Sequence, residues 1–367
     1  MKFFDLTRQY KLTKGKIDAA IKKVLAEGVF IDGKEVEKIE KKIAKFCEVK
    51  YATGVNSGTD SLYLALKALG VRKGNEVITT PFTFIATVEA IANLGAKPVF
   101  VDIDPGTFNI DPSKIEEKIS RNTKVILPVH LFGQMAEMDK ISKLANDHKL
   151  FIVEDAAQAM GAEYKRKKAG SFGDFSCLSF FPTKNLGAFG DAGMILTNKK
   201  KLSNEVKLLR AHGSSFKDKY LNLLLGTNSR LDSIQAAILG VKINYLNKWN
   251  KERIKKAEYY SKSLENVGDI IIPRIAPDRN HIFNQYTIRT KKRDKLLNFL
   301  KRKDVPAMIY YSLPLHLQPA LSYLEHKKGD FPEAEQVAKE VLSLPIYPEL
   351  FQKEQEIIIR EIKNFFK

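Results

Sequence analysis

The sequence predicts an α/β protein: a mostly parallel central sheet with helices on both faces, followed by a smaller C-terminal α+β unit. Two observations carry this. Between Tyr51 and Glu154, short apolar runs alternate with segments of helical periodicity, as in a parallel sheet whose crossovers are helices. Past about Trp249 that alternation stops, and helices and strands follow in a less regular order. The expected division is a large unit at 12–248 and a small one at 249–367, with residues 1–11 packed nearby. A chain of 367 residues is long enough to bury a large core and a second, smaller one.

Taken in order, Ile17, Ile21, Val24 and Leu25 share one helical face, as do Val36, Ile39, Ile43 and Phe46, and Gly28 to Gly33 reads as the loop between them. Strands are expected at Tyr51–Val55, Glu76–Thr79, Pro98–Asp102, Lys124–Val129 and Leu150–Glu154. The intervening helices are expected at Thr59–Leu69, Phe84–Leu94, Pro112–Ile119 and Met138–His148. A polar, turn-rich stretch follows Lys200. Asn228 to Asn247 then shows a long helical pattern through Leu231, Ile234, Ala237, Ile238, Val241 and Ile243. In the small unit, Lys251–Leu264, Lys292–Lys303 and Glu335–Leu342 read as helices, and Ile270–Ile272 and Tyr286–Arg289 as strands.

Composition narrows the function. Hydrophobic content of 44% and charged content of 28% are ordinary for a globular protein. No apolar run is long enough to span a bilayer, and MKFFDLTRQY lacks the apolar core of a signal peptide, so no membrane partner is expected. Cys47 and Cys177 each lie in apolar contexts and read as small core residues, which fits a reducing cytoplasm. The net charge of +18 raises a nucleic-acid reading, but the lysines are scattered over helix faces (Lys34, Lys38, Lys41, Lys42, Lys45) without interleaved aromatics. A solvated basic surface biased toward anionic ligands is the expectation, with no nucleic acid. The chain has no G-x-x-x-x-G-K-S/T, and Gly187, Gly190 and Gly193 do not make G-x-G-x-x-G. G-x-S-x-G and C-x-x-C are also missing, and His130, His148, His212, His281, His316 and His326 show no metal-ligand spacing.

Ligands of such sheets bind beyond the carboxyl ends of the strands, so the residues following each run carry the chemistry. After Val55 come Ser57, Gly58, Thr59 and Asp60, where a helix N-terminus either cradles a phosphate or is simply capped. After Thr79, Phe82 and Phe84 are either core or a surface for stacking on a flat ring. After Val153, Asp155 is either a helix cap or a carboxylate that holds a proton on a ring nitrogen, and Gln158 can reach the same ligand. Lys184 sits where an apolar run meets a glycine-spaced loop. It is either one more solvated cation or a partly desolvated amine able to form a Schiff base with a carbonyl. Tyr310, Tyr311, Ser312, Pro314 and His316 form a polar-aromatic stretch, either a loop at a binding cleft or a plain surface loop.

Phosphate, flat ring, ring nitrogen and aldehyde are the four handles of pyridoxal 5′-phosphate. At this point the chain resembles the DegT/DnrJ/EryC1/StrS family of nucleotide-sugar aminotransferases, of the fold type I, aspartate-aminotransferase-like architecture. The resemblance runs nearly end to end. It is carried by VNSGTDSL (55–62), TPFTFIAT (80–87), PVHLFG (128–133), VEDAAQAMGA (153–162), SFFPTKNLGAFGDAG (179–193), NSRLDSIQAAIL (228–239), NQYTIR (284–289) and PLHLQPA (314–320). It implies that Lys184 carries the cofactor and shuttles the substrate proton, while Asp155 pairs with the pyridine nitrogen. Gln158 would bond the ring hydroxyl and Phe84 would stack on the ring. Gly58, Thr59 and Ser179 would hold the phosphate, and Asn228 would reach it from the other subunit of a homodimer. Tyr311 and His316 would face the sugar nucleotide. The lysine loop departs from the family pattern at one point: many relatives end it in an acid followed by a Gly-Gly pair, whereas here Asp191 is followed by Ala192 and Gly193. The added methyl restricts φ and bears on substrate fit more than on cofactor chemistry.

The resemblance implies transfer of an amino group from glutamate to a keto sugar carried on a nucleotide diphosphate, for amino-sugar or surface-polysaccharide synthesis. The lysine neighbourhood resembles the branch acting at C3, on dTDP-3-keto-6-deoxyhexoses or UDP-3-keto-N-acetylglucosaminuronate, rather than the C4 branch. That C4 branch more often places a histidine near the lysine, and none lies between His148 and His212 here. Two alternatives stand beside this. A sugar dehydratase of the same fold has histidine in place of the lysine, which Lys184 argues against. A regulatory protein has no need of lysine, acid and phosphate cradle together.

Overall fold

A computed structural model describes residues 1–367. The first helix, α1 (Leu6–Glu27), starts where the Asp5 carboxylate accepts the Thr7 N–H at 3.1 Å, and it stops at Gly28, which takes the left-handed conformation that glycine adopts without cost. Helix α2 (Lys34–Phe46) follows and turns Val36, Ile39 and Ile43 into the core.

The sheet region then runs β1 (Tyr51–Val55), α3 (Gly58–Ala68), β2 (Glu76–Thr79), α4 (Ala86–Ala92), β3 (Lys97–Phe100), β4 (Thr123–Ile126), α5 (Met138–Asp147) and β5 (Phe151–Asp155). A small hairpin, β6 (Glu163–Tyr164) and β7 (Lys167–Lys168), precedes β8 (Phe175–Ser179) and β9 (Gly193–Thr197). After these come α6 (Lys200–Leu209), α7 (Ser233–Lys242) and α8 (Leu246–Leu264). The chain ends with β10 (Tyr286–Arg289), α9 (Arg293–Arg302), α10 (Pro332–Glu340), β11 (Val341–Leu344) and α11 (Gln352–Phe366).

Seven strands form one sheet in the order β1-β9-β8-β5-β4-β2-β3. The five from β8 to β3 are parallel, and β9 runs antiparallel to both of its neighbours. Two apolar clusters sandwich the sheet. One joins α2, α5 and α7 (Ile39, Ile141, Leu239), and the other joins α3 and α4 (Leu64, Leu66, Ile91). A third cluster, built on Tyr260, Leu296, Leu342 and Ile358, packs α8, α9 and α11 against the β10–β11 pair. The stretch containing Leu315, Phe331 and Val337 packs into the α3–α4 side of the large core. The N-terminal strap is tied to α11: Arg8 donates to both oxygens of Glu354 at 2.6 and 2.7 Å, and Phe4 packs on Tyr347. No helix is long and apolar enough to cross a membrane.

The elements differ from the sequence expectation in four places. Pro112–Ile119 is two separate 3₁₀ turns, 112–114 and 116–118, because Asp111 caps a proline-started turn that closes at once. The helix expected from Asn228 begins only at Ser233: residues 228 and 232 instead make bridges to Ala211 and Ile31. It also breaks at a 3₁₀ turn over 243–245. The helix expected over 335–342 ends at Glu340, and Val341–Leu344 is a strand paired with β10, a short apolar run that periodicity alone assigns poorly. Finally, Ile270–Ile272 contributes only an isolated bridge, Ile271 to Arg289.

Candidate active site

The carboxyl ends of β1, β2, β5 and β8 open on one side of the sheet, onto a cavity of about 410 Å³. That is within the range of small-molecule sites. Its wall at β1 is the N-terminus of α3. Ser57 Oγ accepts the Asp60 N–H at 3.0 Å, and the first helical bond runs from the Ser61 N–H to the Ser57 carbonyl. The Gly58 and Thr59 amides therefore precede the helix's own ladder and are free for a ligand. Ser179, at the end of β8, faces them. A Cβ built on Gly58 would lie 2.6 Å from Ser179 Cβ, and one on Gly193 would lie 2.1 Å from the Ser57 carbonyl oxygen, so only glycine lets these walls close. Amides, hydroxyls and a helix dipole converge on one spot, a donor set suited to a phosphate.

On β5, successive side chains point to opposite faces. Glu154 turns inward and accepts N–H bonds from Gly170, Phe172 and Gly173 at 2.8–3.0 Å, and its carboxylate lies 2.9 Å from His130 Nε2. The Ala136 N–H donates to His130 Nδ1, so the ring's proton sits on Nε2 and points at Glu154. This network fixes the strand. Asp155 turns to the cavity, where Oδ2 accepts from the Thr87 hydroxyl at 2.8 Å and Oδ1 accepts the Ala157 N–H at 3.2 Å. Burial raises its carboxyl pKa above the ordinary 3.8, against those two bonds and the charge of Lys184.

Lys184 lies in the loop between β8 and β9. It is walled by protein except toward the cavity, and loss of hydration pulls its pKa down to about 8, opposed by the Asp155 charge. A Cβ on Gly187 would lie 2.2 Å from the Pro182 carbonyl oxygen, so the turn bearing Lys184 is closed on itself. Gln158 has its Oε1 fixed by the Phe132 N–H at 2.7 Å and extends Nε2 to within 3.3 Å of the Tyr311 hydroxyl. Phe84 is 56% exposed at the cavity rim, whereas Phe82 is fully buried. Of the two rings, Phe84 is the one with a free face.

The fold thus brings Gly58, Thr59, Phe84, Asp155, Gln158, Ser179, Lys184 and Tyr311 to one cavity. His316 does not join them. Its ring is buried, lies 3.1 Å from Glu335 through Nε2, and packs on Phe331, because the turn at Pro314 directs it into the core. Asn228 is also outside the cavity, exposed, with Oδ1 accepting from Arg230. Two supports of the site lie inside the matched stretches 80–87 and 179–193, but the sequence alone assigns them no role. Thr87 holds Asp155 from α4. Asn185, next to Lys184, joins an amide network in which its Nδ2 donates to Asn250 Oδ1 and its Oδ1 accepts from Asn284, both at 2.7 Å.

A phosphate cradle, an exposed ring, a buried carboxylate and a desolvated amine, all within one cavity, fit a phosphorylated pyridine aldehyde. Gly58, Thr59 and Ser179 would hold its phosphate, Asp155 its ring nitrogen and Lys184 its aldehyde carbon.

The sequence model of the DegT/DnrJ/EryC1/StrS aminotransferase family matches residues 12–363. The chain is 49% identical to a pleiotropic regulatory protein of Geobacillus stearothermophilus, over 99% of this chain and 98% of that one. It is 41% identical to UDP-2-acetamido-2-deoxy-3-oxo-D-glucuronate aminotransferase of Pseudomonas aeruginosa, covering 99% and 100%. It is 39% identical to dTDP-3-amino-3,4,6-trideoxy-alpha-D-glucose transaminase of Streptomyces venezuelae, covering 99% and 95%. Among solved structures, S. venezuelae DesV in complex with a ketimine intermediate superposes with a TM-score of 0.97 at 39% identity, over 100% of this chain and 98% of that one. The Bacillus subtilis protein ntda with bound cofactor PMP superposes with a TM-score of 0.94 at 32% identity, over 100% and 85%.

Proposed function

The chain belongs to the DegT/DnrJ/EryC1/StrS aminotransferase family, and on that premise we propose that it moves an amino group from glutamate to C3 of a keto sugar linked to a nucleotide diphosphate. The observation that carries this is Lys184, a desolvated lysine facing a buried aspartate beside a phosphate cradle. Pyridoxal 5′-phosphate, the resident cofactor in this reading, supplies an exchangeable aldehyde and an electron-accepting ring. Lys184 Nζ would anchor it, and when released would be the base and acid that carries protons to and from the carbons bearing the transferred nitrogen. Asp155 would keep a proton on the ring nitrogen, Gln158 would orient the ring through its hydroxyl, and Phe84 would cover one face. Tyr311 borders the space left for the sugar. C3 is supported by the two relatives whose names specify 3-amino or 3-oxo sugars. A purely regulatory role leaves the desolvated lysine and its buried carboxylate without a use. We place the enzyme in the cytoplasm, which the free, buried Cys47 and Cys177 support, and divide it at 12–248 and 249–367.

The test is product analysis after incubation with glutamate and a panel of nucleotide-linked 3-keto and 4-keto sugars. NMR is expected to find nitrogen on C3. Nitrogen on C4, with no turnover of any 3-keto sugar, refutes the assignment.

In the same reading the protein is a homodimer in which Asn228 completes the partner's phosphate site. Its position outside its own chain's cavity supports this, as do the exposed apolar side chains at Phe216, Leu221, Leu223 and Leu225 just before it. Mixing inactive Lys184→Ala with inactive Asn228→Ala subunits is expected to restore up to about a quarter of wild-type activity, the share of intact sites among randomly paired subunits. Full activity of Asn228→Ala alone, or an active monomer, refutes sharing.

A further inference from the structure

Helix α7 grips the loop that carries Lys184. Gln235 Oε1 accepts the Phe189 N–H at 2.9 Å, and Lys242 Nζ donates to the Gly187 carbonyl. These two residues are seven apart, about two helical turns, so both project from one face. Lys242 is 1% exposed. Its Nζ lies 5.2 Å from the centroid of the Phe189 ring and 5.9 Å from that of Trp249. Glu349 lends it a favourable charge without forming an ion pair, and burial pulls the Lys242 pKa down to about 8. Burying an unpaired lysine is costly, and a methionine would fill the same space without that cost. The Gly187 carbonyl is what the amine gains. Nζ donates to it as ammonium or as neutral amine, so the bond survives across neutral pH.

We propose that Lys242 is a positioning residue: it pins the Gly187 carbonyl and thereby holds the closed turn 182–187 that aims Lys184 into the cavity. The proposal rests on the reading of Lys184 as the residue that carries the cofactor. A turn closed on itself but anchored at one point can swing as a body. Anchors at Gly187 and Phe189, together with the Asn185 amide network, leave it one orientation. Because the reacting nitrogen stands three residues from the pinned carbonyl, a displacement of about 1 Å there costs up to about a hundredfold in rate.

The experiment compares the full-length holoenzyme with Lys242→Met and Lys242→Arg by hydrogen exchange, kinetics and the pH titration of the cofactor absorbance band. In Lys242→Met, exchange in peptides covering 180–190 is expected to rise about tenfold or more, the free-energy scale of removing one hydrogen bond. The rest of the chain should be unchanged. The kcat is expected to fall about ten- to a hundredfold, with KM for glutamate changed less than twofold, and the midpoint of the absorbance titration should move. Lys242→Arg, which keeps a donor, should recover part of the loop protection and of kcat. Unchanged loop exchange in Lys242→Met, a rise spread evenly over the chain, or no recovery in Lys242→Arg overturns the proposal. If Lys242→Met does not fold, Gln235→Ala decides: faster exchange at Phe189 supports the α7 grip, and unchanged exchange ends it. Borohydride reduction and peptide mapping of the wild-type holoenzyme separate the two readings. An adduct on a lysine other than Lys184 removes the functional reading and leaves the loop measurement standing.

Discussion

Lys184→Ala is expected to lower turnover about 10⁴-fold or more while the protein stays folded. Of the residues lining the cavity, Lys184 is the one lysine, so on the proposed function its loss would remove both the covalent anchor and the proton carrier, with no second cavity lysine to take over either task. The Gly58–Thr59–Ser179 cradle and Asp155 remain, so the cofactor is expected to bind without covalent attachment and to be lost on dialysis. Addition of a small primary amine such as methylamine should recover part of the rate. With both proteins free of cofactor, stability is expected to be equal or higher at neutral pH. The Lys184 pKa falls from 10.5 in the unfolded chain to about 8 in the folded one, so between those values the unfolded chain binds more protons and wild-type stability drops as pH is lowered. Below about 8 that cost is fully present, and the alanine variant is free of it. Its advantage should shrink as pH rises from about 8 toward 10.5. Activity within tenfold of wild type would remove Lys184 from the mechanism. A steep loss of melting temperature at pH 7 would contradict the account of its environment.

Much of this site is legible because it is written in short contiguous stretches at strand ends. Ser57–Thr59, Asp155–Gln158 and Ser179–Lys184 each follow a β-branched or apolar run, and a parallel sheet delivers all its strand ends to one edge. What holds these residues in place is not local. Thr87 meets Asp155 across 68 positions of chain, and Lys242 meets Gly187 across 55. Thr87 closes the matched stretch 80–87, but nothing local says which side chain it meets, and a lone lysine at a helix end carries no pattern that separates it from its neighbours. His316 shows the opposite failure. Its polar-aromatic surroundings read as a cleft loop, and Tyr311 in the same stretch does reach the cavity, but the chain turns the histidine ring toward Glu335 and Phe331. Side-chain direction five residues along an irregular segment is set by tertiary packing. The same reason explains the strand at Val341–Leu344: its apolar side chains satisfy either a helix or a strand until β10 is there to pair with it.

Asp155→Asn tests charge alone, because the site can accept the amide without leaving a polar group stranded. The Ala157 N–H needs an acceptor and finds the amide oxygen. The new NH₂ faces Thr87 Oγ1, and that hydroxyl can turn its proton to Thr83, whose Oγ1 is 3.1 Å away. What disappears is the negative charge. Three consequences follow from it. The rate is expected to fall about a hundredfold or more, the scale on which a closed site responds when one preorganised electrostatic interaction is removed, since a neutral amide cannot hold a proton on the ring nitrogen. The Lys184 pKa, which the Asp155 charge raises, is expected to drop below its wild-type value of about 8, measurable from the pH dependence of amine labelling at Lys184 in the cofactor-free protein. Stability should move the other way. The Asp155 pKa is raised by burial, so above the ordinary 3.8 the folded chain holds its proton longer than the unfolded chain does, and stability falls as pH rises through the folded value. At neutral pH the cofactor-free wild type bears that cost and cofactor-free Asp155→Asn does not, so in that form the variant should melt no lower than the wild type at pH 7 and lose any advantage below about 3.8. A slow enzyme that is no less stable identifies a carboxylate kept for chemistry at a cost to the fold. Near-normal turnover in Asp155→Asn would end that assignment, and a slow variant with a much lower melting temperature would make Asp155 a structural residue instead.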